Sequence, residues 1–534
     1  MTSIFSKLIK YVELTVILCL LLTGMSHSSA EEIGFTSAKK TGFINTLPLY
    51  SPETDSNPNS ETNVDDDTIL GTLTLPLYRV QGDENTLYTG TVKLTKKALD
   101  SIKIESHPAP RVTQTDPDDG FPPDIAEKLQ DLLENTVNDD RVPSAIILVN
   151  YHGKMWRGVA GKARVDDKPQ VFSNKFRAGS TTKMFVASIL LALIQDPKNN
   201  LTLDSTMELF KDESWYSDMP NREKITIRQL LGHQSGLYDY ANKTIAISYQ
   251  TPMKIFTPEE LLAYSFDEGS LYEPGTKYNY SNTNYILAGL LIEKITDRSV
   301  AENINSRILI PTGMFNTLFP DDADIPYDYS HGYTYDFNYL KDFVPRDVSF
   351  RDPSEAWASG AIISNITDLE FFTRLQALGK LSPSEELSKS LQKERSKFVA
   401  LSNIADINRV YDINQEYEGC KQENSEKEPL VGLGIFCFYG YLGHEGLIPG
   451  YNTSTYYRPD ETNADKGIGI TISLNSDVAD VDAGGIFLEI VAILDNKNYS
   501  PKKRFLSDGK LPDGRTIIQA LLGIKADEKV IPYF

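Results

Sequence analysis

The sequence has 534 residues, enough for two or three domains and a large hydrophobic core. It contains 53 lysine and arginine residues against 74 aspartate and glutamate residues, which gives a formal net charge of −21. This charge would repel nucleic acid, so the composition argues against a nucleic-acid-binding protein. Apolar residues make up 40% of the sequence, which indicates that most of the chain is globular.

Residues 1–30 are typical of a leader peptide that directs export. Lys7 and Lys10 precede an apolar stretch at 14–25, and small residues follow at 28–30. A transmembrane anchor is the alternative, but the apolar stretch is short for that role. We expect a periplasmic or secreted protein that meets a membrane only through an uncleaved leader.

Residues 31–118 form an N-terminal extension whose composition differs from the rest of the chain. The stretch 52–67 contains six acidic residues and neither a base nor an aromatic residue, so it cannot bury enough apolar surface to order itself. Apolar residues alternate on both sides of a turn-rich centre at 74–95, which predicts a small β hairpin. A spacer is the simplest interpretation of this extension, and wall or partner binding is the alternative.

Residues 119–500 have the pattern of one mixed α/β domain, and 501–534 form a C-terminal tail. Ile125, Leu129 and Leu133 share one face of a helix that follows two prolines. Two strands come next, joined by a turn at 152–153. The middle of the domain is mostly helical, and further strands and a final helix end it. This order predicts an antiparallel sheet built from both ends of the domain and flanked by a helical subdomain.

Two cysteines, Cys420 and Cys437, remain once the leader is removed. An exported protein keeps its disulfides, so these residues are a disulfide candidate that could pin the acidic loop between them. Free thiols are the alternative. Neither cysteine has histidine-rich surroundings, and we expect no metal site.

Two serines compete for the role of nucleophile, and the first is Ser235 in the motif GHQSG at 232–236. This motif matches the G-x-S-x-G elbow, which requires a strand before the serine and a helix after it. Here a short helical pattern precedes the serine and a loop follows it. We therefore expect a helix C-terminus at which Gly232 and Gly236 turn the chain.

The second serine, Ser180, is followed three residues later by Lys183. This spacing is one helical turn, so both side chains lie on one face and the lysine amine can take the serine proton if burial lowers its pKa. Ser-x-x-Lys occurs five times in the chain, but only at Ser180 does it open an apolar helix. A buried helix start also provides free N–H groups for an oxyanion.

Two later motifs suit the same chemistry. Tyr280 and Asn282 stand just before an apolar helix, where a phenol beside an ammonium can titrate low enough to relay protons. His444 and Gly446 lie on a predicted strand, where the glycine admits a substrate and the next N–H can face an oxyanion. Taken alone, the first motif could be a helix cap and the second the end of a strand.

In this order, the three motifs resemble those of the penicillin-recognising serine hydrolases, in the branch of class C β-lactamases and D-Ala-D-Ala carboxypeptidases. The similarity extends over about 120–500 and includes the segments FRAGSTTKMF, PGTKYNYSNTNYILAGLLIEKIT and LGHEGLIPGYNTSTYY. GHQSG belongs to this set as a scaffold loop. The resemblance implies a transpeptidase-like fold and an acyl-enzyme mechanism without metal or cofactor.

The resemblance also implies roles for the motif residues. Ser180 would attack a carbonyl, and Lys183 and Tyr280 would share general-base and general-acid duty, with the division between them left open. Asn282 would orient the lysine and the substrate amide.

His444 would supply a cation or hydrogen-bond donor near the phenol. The backbone N–H groups of Ser180 and Leu447 would form the oxyanion hole, next to Gly446.

Glu445 and Leu447 depart from the pattern, because the carboxypeptidases usually have threonine after the motif histidine and hydroxyl or cationic groups nearby. A glutamate that pointed into the site would repel the C-terminal carboxylate of a D-Ala-D-Ala substrate. Three hypotheses follow. The protein could be a D-Ala-D-Ala carboxypeptidase-like hydrolase, an esterase or D-amino-acid amidase on the same scaffold, or a non-catalytic wall- or partner-binding protein. Its substrates would be small peptides, amides or esters, with β-lactams as further acylating agents.

Overall fold

The computed structural model describes residues 118–495 with short gaps, and four short strand segments before them. The gaps are at 119, 138–140, 167, 336–344, 383–384, 402–410, 422–424, 426–429, 461, 464–465 and 478–480. The predicted leader, the acidic stretch 52–67 and the tail 501–534 lie outside the described residues. The chain divides into two compact units, Met1–Pro108 and Ala109–Phe534.

The first unit contains three described strands, β1 (Lys39–Thr41), β2 (Ile69–Leu77) and β3 (Leu87–Thr95). They form an antiparallel sheet in the order β1-β3-β2. β2 and β3 are the two halves of the alternating pattern in the sequence, and β1 is an additional strand that the pattern did not predict.

The second unit is a mixed α/β domain, which confirms the predicted fold class. Its strands are β4 (Gln114–Thr115), β5 (Ser144–Tyr151), β6 (Lys154–Arg164), β7 (Lys168–Pro169), β8 (Phe176–Arg177), β9 (Lys277–Tyr278), β10 (Tyr333–Tyr335), β11 (Pro345–Asp347), β12 (Ile363–Ser364), β13 (Lys380–Ser382), β14 (Glu385–Glu386), β15 (Lys397–Leu401), β16 (Tyr411–Glu418), β17 (Leu430–Val431), β18 (Phe436–Phe438), β19 (Tyr441–Ile448), β20 (Tyr451–Arg458) and β21 (Ile468–Leu474).

The α-helices of this unit are α1 (Pro123–Val137), α2 (Thr182–Gln195), α3 (Ile227–Leu231), α4 (Ala241–Gln250), α5 (Pro258–Phe266), α6 (Thr283–Thr296), α7 (Val300–Ile304), α8 (Ile310–Thr312), α9 (Trp357–Gly360), α10 (Ile366–Ala377), α11 (Lys389–Arg395) and α12 (Ala483–Leu494). A π-helical turn, Asn305–Leu309, joins α7 to α8. Within the described ranges, none of the helices combines the length and apolar character needed to cross a bilayer.

The main sheet is antiparallel and is built from both ends of the domain. Its strands follow the order β4-β6-β5-β21-β20-β19-β18-β17-β15-β16-β9, and β7 also pairs with β6. β5 and β6 come from the start of the domain and pair beside β21 from its end. The hairpin between β5 and β6 turns at His152 and Gly153, both of which have positive φ.

The centre of the sheet is buried on both faces, which explains the unbroken apolar run in β5. Ile147 faces a core that contains residues of α1 and α12, whereas Ile146 and Leu148 face a core that contains residues of α2 and α10. In the second core, Phe185 of α2 stacks on Phe372 of α10 with ring centroids 3.6 Å apart. Burying one such side chain stabilises the fold by about 1.5–3 kcal/mol.

The segment before β19 consists of two short strands rather than the single continuous strand that its apolar sequence suggests. Gly434, between β17 and β18, has a φ of +69°, and a Cβ there would collide with Ala187 of α2. The break therefore lets the loop pack closely against α2. A disulfide joins Cys420 to Cys437 of β18.

Candidate active site

The candidate nucleophile lies in a short turn that leads into a buried helix. Gly179–Thr181 form a 3₁₀ turn, and α2 begins at the next residue. Ser180 is partly buried at the amino end of α2, where backbone N–H groups lack partners within the helix. Gly179 has a φ of +57°, and a Cβ there would lie 3.0 Å from the backbone nitrogen of Leu447. Glycine therefore lets the turn approach β19 closely.

Lys183 is fully buried and its Nζ forms hydrogen bonds with groups from three parts of the chain. Nζ lies 3.0 Å from Ser180 Oγ, 2.7 Å from Asn282 Oδ1 and 2.8 Å from the Ser359 carbonyl oxygen. The last two acceptors hold the amine next to the serine hydroxyl. A neutral amine in this position can accept the hydroxyl proton through its lone pair.

The surroundings of Lys183 favour that neutral form. Burial lowers the pKa of the Lys183 ammonium to about 7, and the Asp239 carboxylate acts in the opposite direction. An amine with this pKa is partly neutral at pH 7. It is therefore suited to act as a general base under ordinary conditions.

Asp239 completes a chain of contacts that sequence reasoning missed. It is buried, its Oδ2 accepts a hydrogen bond from Asn282 Nδ2 at 2.9 Å, and its Oδ1 accepts one from the backbone N–H of Ala241 at 3.1 Å. Burial raises the pKa of Asp239 to about 6, although these hydrogen bonds and the Lys183 charge oppose the rise. The sequence feature that could have indicated Asp239 is an acid between two tyrosines, shortly after GHQSG.

Tyr280 lies beside the lysine but does not titrate as the sequence suggested. The ring centroid is 4.9 Å from Lys183 Nζ, and the ring stacks on His233 with centroids 4.3 Å apart. Burial raises the pKa of Tyr280 well above its ordinary value, a side-chain hydrogen bond with Ser180 opposes the rise, and the Asp239 carboxylate adds to it. The expectation of a low-titrating phenol is therefore wrong, because burial disfavours the phenolate.

His233, beneath Tyr280, is a structural residue of the GHQSG loop. Its Nδ1 accepts a hydrogen bond from the backbone N–H of Ser281 at 3.1 Å, and burial lowers its pKa well below the ordinary value. The ring is therefore neutral and supports the Tyr280 ring by stacking.

His444 is buried on β19 and is also neutral. Burial and, to a smaller extent, the Lys183 charge lower its pKa to about 3. Its Nδ1 lies 2.5 Å from the Glu445 carbonyl oxygen, so Nδ1 carries the ring proton and donates it. The ring centroid is 6.4 Å from that of Tyr280. Of the two expected roles, a cation or a hydrogen-bond donor near Tyr280, the first is wrong because the ring is neutral. The Nδ1 proton is donated to the Glu445 carbonyl, so the Nε2 of this imidazole is an acceptor.

The backbone of β19 places a second N–H near Ser180. The hairpin of β19 and β20 has a two-residue loop closed by Ile448 and Tyr451. Such a closing pair is hydrogen-bonded, and bonded and non-bonded pairs alternate along an antiparallel ladder. The Leu447 N–H therefore points away from β20, toward the edge where Gly179 lies. This arrangement places the Leu447 N–H beside the turn that carries Ser180.

Gly446 makes the close approach between β19 and the nucleophile turn possible. A Cβ at this position would overlap the Ala178 carbonyl oxygen and Thr453 Oγ1. Thr453 Oγ1 donates a hydrogen bond to the same Ala178 carbonyl at 3.0 Å. The segment before Ser180 thus packs against β19 and forms a hydrogen bond with β20.

Glu445 lies on the face of β19 opposite His444, because adjacent side chains of a strand alternate. Its carboxyl is against Gly484 at the start of α12 and near Asp482, which caps that helix. Glu445 is exposed as a residue, but desolvation of its carboxyl against α12 and repulsion from Asp482 together raise its pKa to about 7. Glu445 also contributes to the raised pKa of Tyr280, so its negative charge acts on the site.

Ser235 is held as a structural residue. It is buried, its Oγ donates to Asn284 Oδ1 at 2.6 Å, and the same Oγ accepts from the Leu237 N–H at 3.1 Å. The serine follows α3, as predicted, and Gly236 turns the chain with a φ of +78°. Gly232 is the C-cap of α3, as expected, with a φ of −93°.

The structure thus brings together Ser180, Lys183, Tyr280 and Asn282, places His444 beside them, and adds Asp239, which the motifs did not indicate. Glu445 is on the other face of β19. In the part of the chain that the structure describes, no cluster of three His, Cys, Asp or Glu residues is arranged to hold a metal ion.

Comparisons with known proteins identify the family of this domain. A family model described as Beta-lactamase matches residues 129–493. Penicillin-binding protein 4* of Bacillus subtilis (strain 168) is 29% identical over 217 residues, which cover 39% of this chain and 45% of that protein. Protein flp of Staphylococcus aureus (strain N315) is 27% identical over 198 residues, which cover 37% of this chain and 39% of that protein. The match therefore spans less than half the length of these curated relatives.

Solved structures extend the similarity over 66–70% of this chain and nearly the whole of their own chains. A D-stereospecific amidohydrolase from Streptomyces sp. is 27% identical with a TM-score of 0.53, and the match covers 66% of this chain and 94% of that one. A D-amino acid amidase from Ochrobactrum anthropi SV3 has the same fold, with a TM-score of 0.55, 24% identity, and coverage of 70% of this chain and 100% of the other. The family model covers more than half of the chain, and the protein belongs to the Beta-lactamase family, whose fold it shares with the penicillin-binding proteins and D-amino acid amidases.

Proposed function

We propose that the protein is an exported serine amidohydrolase that forms an acyl-enzyme on Ser180. The observation that carries this proposal is the distance of 3.0 Å between Lys183 Nζ and Ser180 Oγ, at the amino end of a buried helix. The match to the Beta-lactamase family supports hydrolase chemistry. We likewise propose, beyond the hydrolase chemistry, the class of substrate and the export of the protein.

Neutral Lys183 takes the proton of Ser180 as the serine oxygen attacks the substrate carbonyl carbon. The resulting oxyanion is held by the N–H groups of Ser180 and Leu447, and loss of one such donor typically costs about 10²–10³ in rate. The bond from carbon to the leaving nitrogen or oxygen then breaks, and the leaving group takes a proton from the lysine ammonium or from Tyr280. Water then attacks the acyl carbon and gives a proton to the Lys183 amine. The bond from that carbon to the serine oxygen breaks, the oxygen takes the proton from the lysine ammonium, and the acid leaves with the Ser180 hydroxyl restored.

Lys183 is better suited than Tyr280 to act as the base. Burial lowers the pKa of the lysine and raises that of the phenol, so at neutral pH the amine offers a free lone pair and the phenol keeps its proton. A protonated Tyr280 can donate to the leaving group. Asn282, held by Asp239, fixes the amine in position.

The electrostatics favour substrates that have no free carboxylate near the scissile bond. Besides burial, the Asp239 carboxylate adds to the raised pKa of Tyr280, and Glu445 makes a smaller contribution from the other face of β19. His444 is neutral. In the described part of the chain, no arginine hydrogen-bonds with Ser180, Lys183 or Tyr280. We therefore favour amides and esters of amino acids, in line with the resemblance to the Streptomyces amidohydrolase.

A D-Ala-D-Ala carboxypeptidase-like activity on peptidoglycan peptides is the second candidate. The arrangement of the motifs and the 29% identity to a penicillin-binding protein favour it. Against it, no described arginine hydrogen-bonds with Ser180, Lys183 or Tyr280 to receive the C-terminal carboxylate of such a peptide.

The two candidates are separated by a comparison of kcat/KM for an amino-acid amide, the matching aryl ester and an acylated D-Ala-D-Ala peptide, with Ser180→Ala as the control. The proposal predicts that the amide and the ester are preferred. Preference for the peptide would favour the carboxypeptidase, and failure to turn over or acylate with any of these, or with a β-lactam, would favour a non-catalytic binding protein.

A further inference from the structure

The Ser359 carbonyl oxygen, which lies 2.8 Å from Lys183 Nζ, belongs to a turn with an unusual backbone conformation. The turn consists of residues 355–360 and includes the short helix α9. Trp357 has a φ of +35°, which a bulky residue rarely adopts. Such a conformation persists only where surrounding contacts hold it, so the position of this carbonyl depends on groups outside the turn.

Tyr240 contacts this turn at both of its ends. Its hydroxyl is buried, donates to the Glu355 carbonyl oxygen at 2.7 Å and lies 3.1 Å from Ser359 Oγ. Ser359 Oγ in turn donates to the Ala356 carbonyl oxygen at 2.6 Å. Burial raises the pKa of Tyr240 well above its ordinary value, so the phenol keeps the proton that it donates. The hydroxyl therefore links the start of the turn to the residue whose carbonyl contacts the amine.

The side chain of Glu355 provides a second contact between this turn and the start of α4. The buried carboxyl accepts a hydrogen bond from Thr244 Oγ1 at 2.7 Å and forms an ion pair with Arg351 at 3.5 Å. Thr244 lies one helical turn after Tyr240, whose carbonyl oxygen accepts from the Thr244 N–H at 3.2 Å. The start of α4 thus holds both the backbone and the side chain of Glu355.

The residue before Tyr240 holds the other acceptor of the lysine amine. Asp239 Oδ2 accepts from Asn282 Nδ2, and Asn282 Oδ1 lies 2.7 Å from Lys183 Nζ. Two consecutive residues of one loop therefore control both acceptors, one through a side-chain amide and the other through the Ser359 carbonyl.

We propose that Tyr240 is a positioning residue for acylation, which holds the Ser359 carbonyl so that this oxygen keeps the Lys183 amine next to Ser180 Oγ. This role rests on the proposed function. The phenol acts through the backbone of the turn and takes no part in bond making. Because small displacements of a reacting group slow a reaction strongly, loss of the hydroxyl should slow acylation by about tenfold and leave substrate binding nearly unchanged.

The test compares Tyr240→Phe with Tyr457→Phe in the full chain. Each substitution removes one buried phenol hydroxyl, and that of Tyr457 accepts from the Gly467 N–H at 2.9 Å, near the end of β20 farther from its loop to β19. Single-turnover acylation by an aryl ester of an amino acid, followed by intact mass after an acid quench, gives the acylation rate constant and the apparent Kd. Tyr240→Phe should lower the rate constant about tenfold and leave Kd within about twofold. Tyr457→Phe should leave both within about twofold of the wild-type values. Equal rate constants for the two variants, or an effect confined to Kd, would overturn the role of Tyr240.

Ser359→Ala provides a second test that does not depend on the folding of Tyr240→Phe. It keeps the carbonyl and removes the hydroxyl that contacts Tyr240, so acylation should slow in this variant as well. The double variant should be no slower than Tyr240→Phe to within about twofold, because the two hydroxyls act through one contact. Effects that multiply in the double variant, or an unchanged rate in Ser359→Ala, would contradict the proposal.

The wild-type chain separates this role from the proposed function. A wild-type protein that is not acylated on Ser180 would refute both. Normal acylation of the wild-type protein and of folded Tyr240→Phe would refute only the role of Tyr240.

Discussion

Lys183 Nζ lies 3.0 Å from Ser180 Oγ, and the same nitrogen lies 2.7 Å from the amide oxygen of Asn282. The other end of that amide donates to the buried carboxylate of Asp239. The charge of Asp239, which is separated from Ser180 by Lys183 and Asn282, thus influences the pKa of the Lys183 amine.

This relationship predicts how activity depends on pH. If neutral Lys183 is the base, kcat/KM falls as pH decreases through its pKa of about 7, to about one tenth of its plateau at pH 6. The Asp239 carboxylate favours the ammonium, so its removal in Asp239→Asn should lower the pKa of Lys183 and move the acid limb to lower pH. Initial rates on one ester between pH 5 and about 9 give the acid limb of the wild-type enzyme and that of Asp239→Asn. A limb that stays in place or moves to higher pH would refute the assignment.

Ser235→Ala should affect stability rather than chemistry. The substitution leaves the buried Asn284 Oδ1 without this donor, so we expect the free energy of unfolding to fall by about 1–3 kcal/mol. Urea denaturation measures this loss, and kcat/KM at 25 °C should stay within about twofold of the wild-type value, since Ser235 lies outside the proposed chemistry. A large loss of kcat/KM in a folded variant would show that Ser235 takes part in the reaction.

Gly446→Ala should reduce catalysis by moving β19. The added methyl group would overlap the Ala178 carbonyl oxygen and force the Leu447 N–H away from the oxyanion position. We expect kcat to fall by about 10²–10³, the typical cost of one oxyanion donor. Gly153→Ala is the control, because a Cβ there meets no atom within 4 Å and its cost is confined to the β5–β6 turn. Equal rates for the two variants would argue against this oxyanion hole.

Glu445→Gln should change substrate preference. Glu445 ionises as pH rises through its pKa of about 7, so the wild-type enzyme should discriminate increasingly against carboxylate-bearing peptides above that pH. The neutral variant should lose this pH dependence, and because the Glu445 carboxyl acts from the other face of β19, we expect a gain of only about twofold on the peptide relative to the amide. The ratio of the two kcat/KM values at pH 6 and pH 8 provides the measurement. An unchanged ratio would remove Glu445 from substrate selection.

Local spacing was enough to predict some of these features, and tertiary structure decided the others. Ser180 and Lys183 share one helical turn, so their proximity was evident from the sequence. The alternating and apolar runs likewise indicated β5, β6 and the strands that end the domain. Asp239 reaches the site only through the path of the loop after α3, which no local pattern reveals. The protonation states of Tyr280 and His444 depend on burial, and a motif does not specify burial.

The central claim is that Ser180 is the nucleophile, and intact mass spectrometry tests it most directly. The wild-type protein, Ser180→Ala and Ser235→Ala are each incubated with a fluorescent penicillin and, in parallel, with an activated aryl ester, and then quenched in acid. We predict that the wild-type protein and Ser235→Ala gain the mass of one acyl group and that Ser180→Ala gains none. An adduct that persists in Ser180→Ala and disappears in Ser235→Ala would contradict the account.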